Sequence, residues 1–120
     1  MKQIAILLIG ILIVSCSRET ETTYSTDSEK VFLFITKSTT NDELIKISAE
    51  FKLKKNIDID FSESEFYNNG KIKNLNLKVD CNDGFKGIMK NHGKTFNLNK
   101  SGFLRDYSEN SNIPFQIGSM

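Results

Sequence analysis

The chain has 120 residues, with 16 basic and 15 acidic side chains, a formal charge of +1 and 38% apolar residues. That length supports one small domain, and the near-neutral balance lacks the basic excess that a nucleic-acid partner selects. A single His, two Cys and no Trp leave little for a metal centre or a catalytic triad, so no cofactor is expected.

Lys2 precedes an apolar run from Ile4 to Val14, broken only by Gly10. The run is too short for a helix crossing a bilayer core, which needs ~20 residues. Behind a Lys at the extreme N-terminus it has the form of a secretory h-region. It ends in Ile13-Val14-Ser15-Cys16, which resembles the lipobox of small bacterial lipoproteins. The alternative is an ordinary signal peptide with an incidental Cys. The resemblance implies a signal peptide over residues 1–15, cleavage before Cys16, and acyl chains, palmitate among them, on Cys16. Two or three such chains anchor stably where one is marginal. The expected location is a cell membrane, reached through the lipid anchor. Ser17 rather than Asp follows the Cys, which leans towards the outer membrane in a Gram-negative cell. With Cys16 consumed as a thioether, Cys81 has no intramolecular partner, and the domain must hold itself by packing.

Residues 17–28 read SRETETTYSTDS, with no aliphatic side chain, too polar to order themselves. The expectation is a lipidated Cys and flexible tether over 16–28, then one domain over 29–120. Val31-Phe32-Leu33-Phe34-Ile35 is a strand by its β-branched and aromatic content, apolar on both alternating faces. Thr40 and Glu43 have capping-box spacing, Asp42 and Glu43 suit the positive end of a helix dipole, and Leu44, Ile47 and Phe51 recur at helical spacing. Lys52, Lys54 and Lys55 suit the last turn and Asn56 a stop. Ile57, Ile59 and Phe61 alternate with polar residues as a half-buried strand. Asn68-Asn69-Gly70 is a turn. Leu75, Leu77, Val79 and Cys81 alternate as a second such strand. Asn82-Asp83-Gly84 closes a hairpin into a fourth strand through Phe85, Gly87 and Met89. The predicted fold is therefore α+β: a single helix packed on about four mainly antiparallel strands, in the order β-α-β-β-β.

Beyond Asn91-His92-Gly93 the pattern weakens, and Phe96, Leu98, Phe103, Leu104, Phe115 and Ile117 are scattered through Asn- and Ser-rich sequence. One helix covers one face of a sheet. The second face of Val31–Ile35 is expected to be covered by this tail, or else left for a partner.

Ile35-Thr36-Lys37, Thr39 to Leu44, Ile57 to Phe61, Asn68 to Ile72 and Pro114-Phe115-Gln116-Ile117 together resemble a segment appended to bacterial membrane metallopeptidases of the β-lactam-sensor type, a segment also found alone in small lipoproteins. The likeness spans about two thirds of the chain. It implies a fold and a compartment, and carries no catalytic position. The peptidases' paired-histidine zinc motif has no counterpart beside the single His92.

Other residues that carry chemistry have simpler readings. His92 between Asn91 and Gly93 reads as a turn residue. Cys81 shares the parity of Leu75, Leu77 and Val79 and reads as a small buried residue. Asp58 and Asp60, with Glu63 and Glu65 nearby, suggest either paired acid–base carboxylates or a solvated sheet face, and the latter is preferred. Asp80 to Gly84 lacks the glycine and glutamate spacing of a calcium loop. Lys52 to Lys55 suit anionic headgroups, although a helix C-terminus accounts for them. Catalytic and metal-ligating residues are thus expected to be absent, with Cys16 the one site by lipidation. The expected function is a lipid-anchored envelope module that binds another macromolecule, such as an envelope protein, without catalysis. The alternatives are an inhibitor or accessory of an envelope peptidase, and a carboxylate-based hydrolase.

Overall fold

The computed structural model describes residues 21–91 and 101–119. The expectations for residues 1–15, Cys16, His92, Phe96 and Leu98 fall outside these. In chain order the elements are β1 (Thr23–Ser25), β2 (Lys30–Ile35), α1 (Asn41–Lys55), β3 (Asp58–Asp60), β4 (Glu65–Phe66), β5 (Ile72–Asp80), β6 (Lys86–Asn91), β7 (Ser101–Asp106) and β8 (Phe115–Ser119). Over the described residues the protein is α+β, one helix packed against antiparallel sheets.

The helix forms where its caps and stripe require. The Thr40 hydroxyl accepts from the Glu43 amide at 3.3 Å, and Glu43 Oε1 accepts from the Thr40 amide at 3.0 Å, which satisfies two donors that a helix start leaves open. Asn56 ends it in the left-handed conformation at φ 55°. Leu44, Ile47 and Phe51 are the residues it buries.

The strands divide into two sheets. The first has the order β1-β2-β7-β8. The second is built on β5, with β3 and β4 along it and β6 also paired to it. The β5–β6 turn is the expected hairpin: Asn82 takes φ 58° and Gly84 φ 104°, and the Cys81 amide donates to the Phe85 carbonyl at 2.9 Å. Val31, Leu33, Ile35 and Phe103 from the first sheet join Leu44, Ile47 and Phe51 from the helix. Ile57, Ile72, Leu75, Leu77, Val79, Cys81 and Met89 complete one continuous core. The Phe51 and Phe103 rings meet at 5.3 Å, so the helix lies on the inner face of the first sheet.

Two glycines let backbones come close. A Cβ on Gly102, at φ 156°, would stand 1.8 Å from the Leu33 carbonyl oxygen across the β2–β7 pair. A Cβ on Gly87 would meet Ile117 Cγ2 at 2.7 Å, where β6 passes β8.

Two expectations are corrected. The reading of 16–28 as a flexible tether extends too far, because Thr23–Ser25 pairs with Phe34, Leu33 and Phe32 of β2. Side-chain contacts hold this strand to the helix. Glu50 accepts from the Tyr24 hydroxyl at 3.0 Å and from the Thr26 hydroxyl at 2.7 Å, and the Tyr24 ring lies 6.2 Å from that of Phe51. Partners distant in sequence order a segment whose own composition is too polar to do so.

The described part of the tail, residues 101–119, does not lie over the second face of β2. It extends the sheet sideways as β7 and β8. Phe103 stands opposite Leu33 and faces the core, whereas Leu104 stands opposite Phe32. Strand alternation decides this, since a tail that pairs edge to edge places half of its apolar residues on each face.

Candidate functional site: the outer face of the first sheet

Alternation along β2 separates its apolar residues. Val31, Leu33 and Ile35 have no exposed surface, while Phe32 and Phe34 are half-buried on the other face. Their rings stack at 4.9 Å with an interplanar angle of 25°. Leu104, also half-buried, extends the apolar strip across β7. On both sides the strip gives way to short polar residues, Thr23 and Ser25 on β1 and Gln116 on β8.

The connection from β7 to β8, residues 107–114, closes one end of this face. It forms a recess of ≈ 420 Å³ whose floor includes Lys30, Leu104, Asp106 and Gln116 and whose wall includes Asn110, Asn112 and Ile113. Asp106 shapes the loop. Its carboxylate accepts from the Ser108 amide at 3.0 Å and from the Ser108 and Ser111 hydroxyls at 2.8 and 2.9 Å. These bonds, those of Ser108 first, hold the carboxyl below the usual carboxylate range. Ile113 is 53% exposed at the rim. The arrangement offers an aromatic platform beside a polar recess with one cation and one already engaged anion.

The residues singled out from sequence are dispersed. Asp58 pairs with Lys52 at 2.9 Å and accepts from Asn82 Nδ2 at 2.9 Å, and the Asn82 bond with the Lys52 contact lowers its pKa. Asp60 accepts from the Ser62 amide at 2.9 Å and is lowered by its bonds to Ser62. Glu63 faces Lys78 at 3.4 Å and accepts from Asn76 Nδ2 at 3.3 Å, and Glu65 accepts from Asn74 Nδ2. Each carboxylate thus serves a local contact. Among the described residues no three His, Cys, Asp or Glu side chains approach closely enough to hold a metal ion. Cys81 is 3% exposed, and burial pushes its thiol up to about 12, the opposite of a reactive thiolate.

Sequence reasoning missed Arg105. Its side chain is 11% exposed and pairs with Asp83 at 2.8 Å. Its guanidinium carbon lies 4.5 Å from the ring centres of both Phe85 and Tyr107. The one available signal was an Arg amid apolar residues in the tail. Comparison of the chain with protein-family models, curated proteins and solved structures finds no match.

Proposed function

We propose that this chain is a lipid-anchored module of the cell envelope that binds another macromolecule, with no chemistry of its own, through the outer face of its first sheet. The Ile13-Val14-Ser15-Cys16 sequence supports the anchor. The observation that carries the binding role is the stacked Phe32–Phe34 pair, continued by Leu104 and bordered by the recess under residues 107–114. Apolar strips rimmed by polar side chains are what protein-binding surfaces present to a partner.

The envelope partner of this reading is a protein, and the sequence likeness to a peptidase-appended segment favours a peptidase of the same membrane. A photo-crosslinking side chain at Gln116, which is exposed on this face, tests it in intact envelopes. The expected result is one discrete adduct, identified by mass spectrometry and lost in the Phe34→Ser variant. Diffuse labelling, or labelling equally strong from Ile88 on the other sheet, would refute the assignment.

A further inference from the structure

The helix carries a second apolar stripe that the core does not use. At 100° per residue, Leu44, Ile47 and Phe51 point inward, and Ile45, Ala49 and Leu53 fall on the opposite side. Ile45 is 53% exposed and Leu53 84% exposed. Lys46 and Lys52 flank this stripe, and both are exposed; Lys52 also pairs with Asp58 at 2.9 Å. Of the acids on this side, Asp42 stands in the first turn, away from Leu53, and Asp58 is neutralised by Lys52.

The position of the chain's entry gives the stripe a neighbour. The described chain enters at Glu21 and Thr22, and the Thr22 hydroxyl donates to Glu43 Oε1 at 3.4 Å, which places the entry beside the first turn of the helix. Only five residues lie between Cys16 and Thr22, six steps that span at most about 21 Å, and the helix itself is about 22 Å long. A domain tethered so closely beside its helix keeps that helix near the bilayer.

We propose that the Ile45–Ala49–Leu53 stripe, flanked by Lys46 and Lys52, rests on the anionic phospholipid surface to which Cys16 is anchored. This inference builds on the anchored reading proposed above. Apolar side chains enter the headgroup boundary while Lys46 meets lipid phosphates, the arrangement of helices that lie on membranes. Because the helix packs on the inner face of the first sheet, the Phe32–Phe34 face is then turned away from the bilayer and towards other macromolecules.

The absence of Trp provides the test. The chain from Cys16 onward keeps every core residue. It is coupled through the Cys16 thiol to a maleimide lipid in phosphatidylglycerol–phosphatidylcholine vesicles. Buried Cys81 does not compete. Leu53→Trp and Ile113→Trp each place one fluorophore at an exposed site, on the helix stripe and on the recess rim respectively. Tethering is expected to shift Leu53→Trp emission to the blue and expose it to quenching by brominated lipid, with Ile113→Trp unchanged. Replacing phosphatidylglycerol by phosphatidylcholine, or adding Lys46→Gln, is expected to reduce the quenching about twofold or more. An unshifted Leu53→Trp, equal shifts at both positions, or a blue shift on concentrating the protein without vesicles, which would make a second copy the occupant, would each overturn the proposal. Chemical coupling bypasses cellular acylation, so a failure here leaves the anchor itself standing. A failure to label Cys16 with fatty acid in cells would refute the anchor and leave this measurement unaffected.

Discussion

Arg105 and Asp83 join the β5–β6 hairpin to β7: one Asp83 oxygen accepts from Arg105 Nε at 3.0 Å and from Nη2 at 2.8 Å. Arg105 Nη1 donates to the carbonyls of Asp106 and Pro114 at 2.7 and 3.0 Å. The pair therefore ties together the hairpin, β7 and the start of β8. Removing Asp83 leaves a mostly buried cation without its counter-charge. With the Asp83 side chain 31% exposed, water screens part of the loss, and Asp83→Ala should cost ~1–3 kcal/mol. Arg105→Lys should cost a comparable amount, because an ammonium lacks the planar fork and the flat stack between Phe85 and Tyr107. Denaturant unfolding of both variants checks this. Wild-type stability in Arg105→Lys would show that charge alone suffices.

Phe51 has no exposed surface and touches Phe103 and Tyr24. Phe51→Ala should destabilise the domain by ~3–5 kcal/mol, a large share of the ~5–15 kcal/mol available to a domain. A thermal melt within error of wild type would contradict the packing described.

The boundary of the folded domain is open to a direct test. A chain beginning at Glu21 should melt as one beginning at Ser17 does, whereas a chain beginning at Glu29 should melt lower. The second deletion removes β1 and, with Tyr24 and Thr26, both hydroxyl donors to Glu50. Equal melting of all three chains would return residues 23–28 to the tether.

Alkaline pH should destabilise the fold through Cys81. Its folded-state pKa is raised to about 12 by burial, above the ~8.5 of an exposed thiol. The stabilising contribution is complete below the unfolded value and is lost as pH rises through the folded one. Tyr107, raised by burial, and Tyr24, raised first by its bond to Glu50, act in the same direction. Unfolding free energy should fall from about pH 9 upward, less steeply in Cys81→Ala. The native protein should also resist thiol reagents at neutral pH. Rapid labelling of Cys81 in the folded state would disprove its burial.

Cys16→Ser should abolish acylation and move the protein from the membrane to the soluble fraction. The helix stripe alone, two large apolar side chains and two lysines, falls short of the two strong signals that stable anchoring takes. A variant that fractionates as wild type does would remove the lipid anchor from the proposed function.

The helix was legible residue by residue, because its determinants are local: Thr40 and Glu43 cap it, Asn56 ends it, and Leu44, Ile47 and Phe51 lie one turn apart. The alternation Leu75–Cys81 and the Asn82-Asp83-Gly84 turn were legible for the same reason, since a hairpin is specified by neighbours in the chain. What only the tertiary structure decided depends on long-range pairing. β1 is a strand because β2 and Glu50 hold it, although nothing in SRETETTYSTDS marks it. β7 and β8 belong to the first sheet because Gly102 admits the Leu33 carbonyl and Gly87 leaves room for Ile117. The sequence alone determined that Phe32 and Phe34 stand opposite Leu33, because a strand alternates. That they lie on the face away from the core, beside a recess made by residues 107–114, followed from residues 101–119 joining the sheet edge to edge. Backbone hydrogen-bonding groups at a strand edge require partners, and pairing with β7 satisfies them where a tail draped over the face would leave them open.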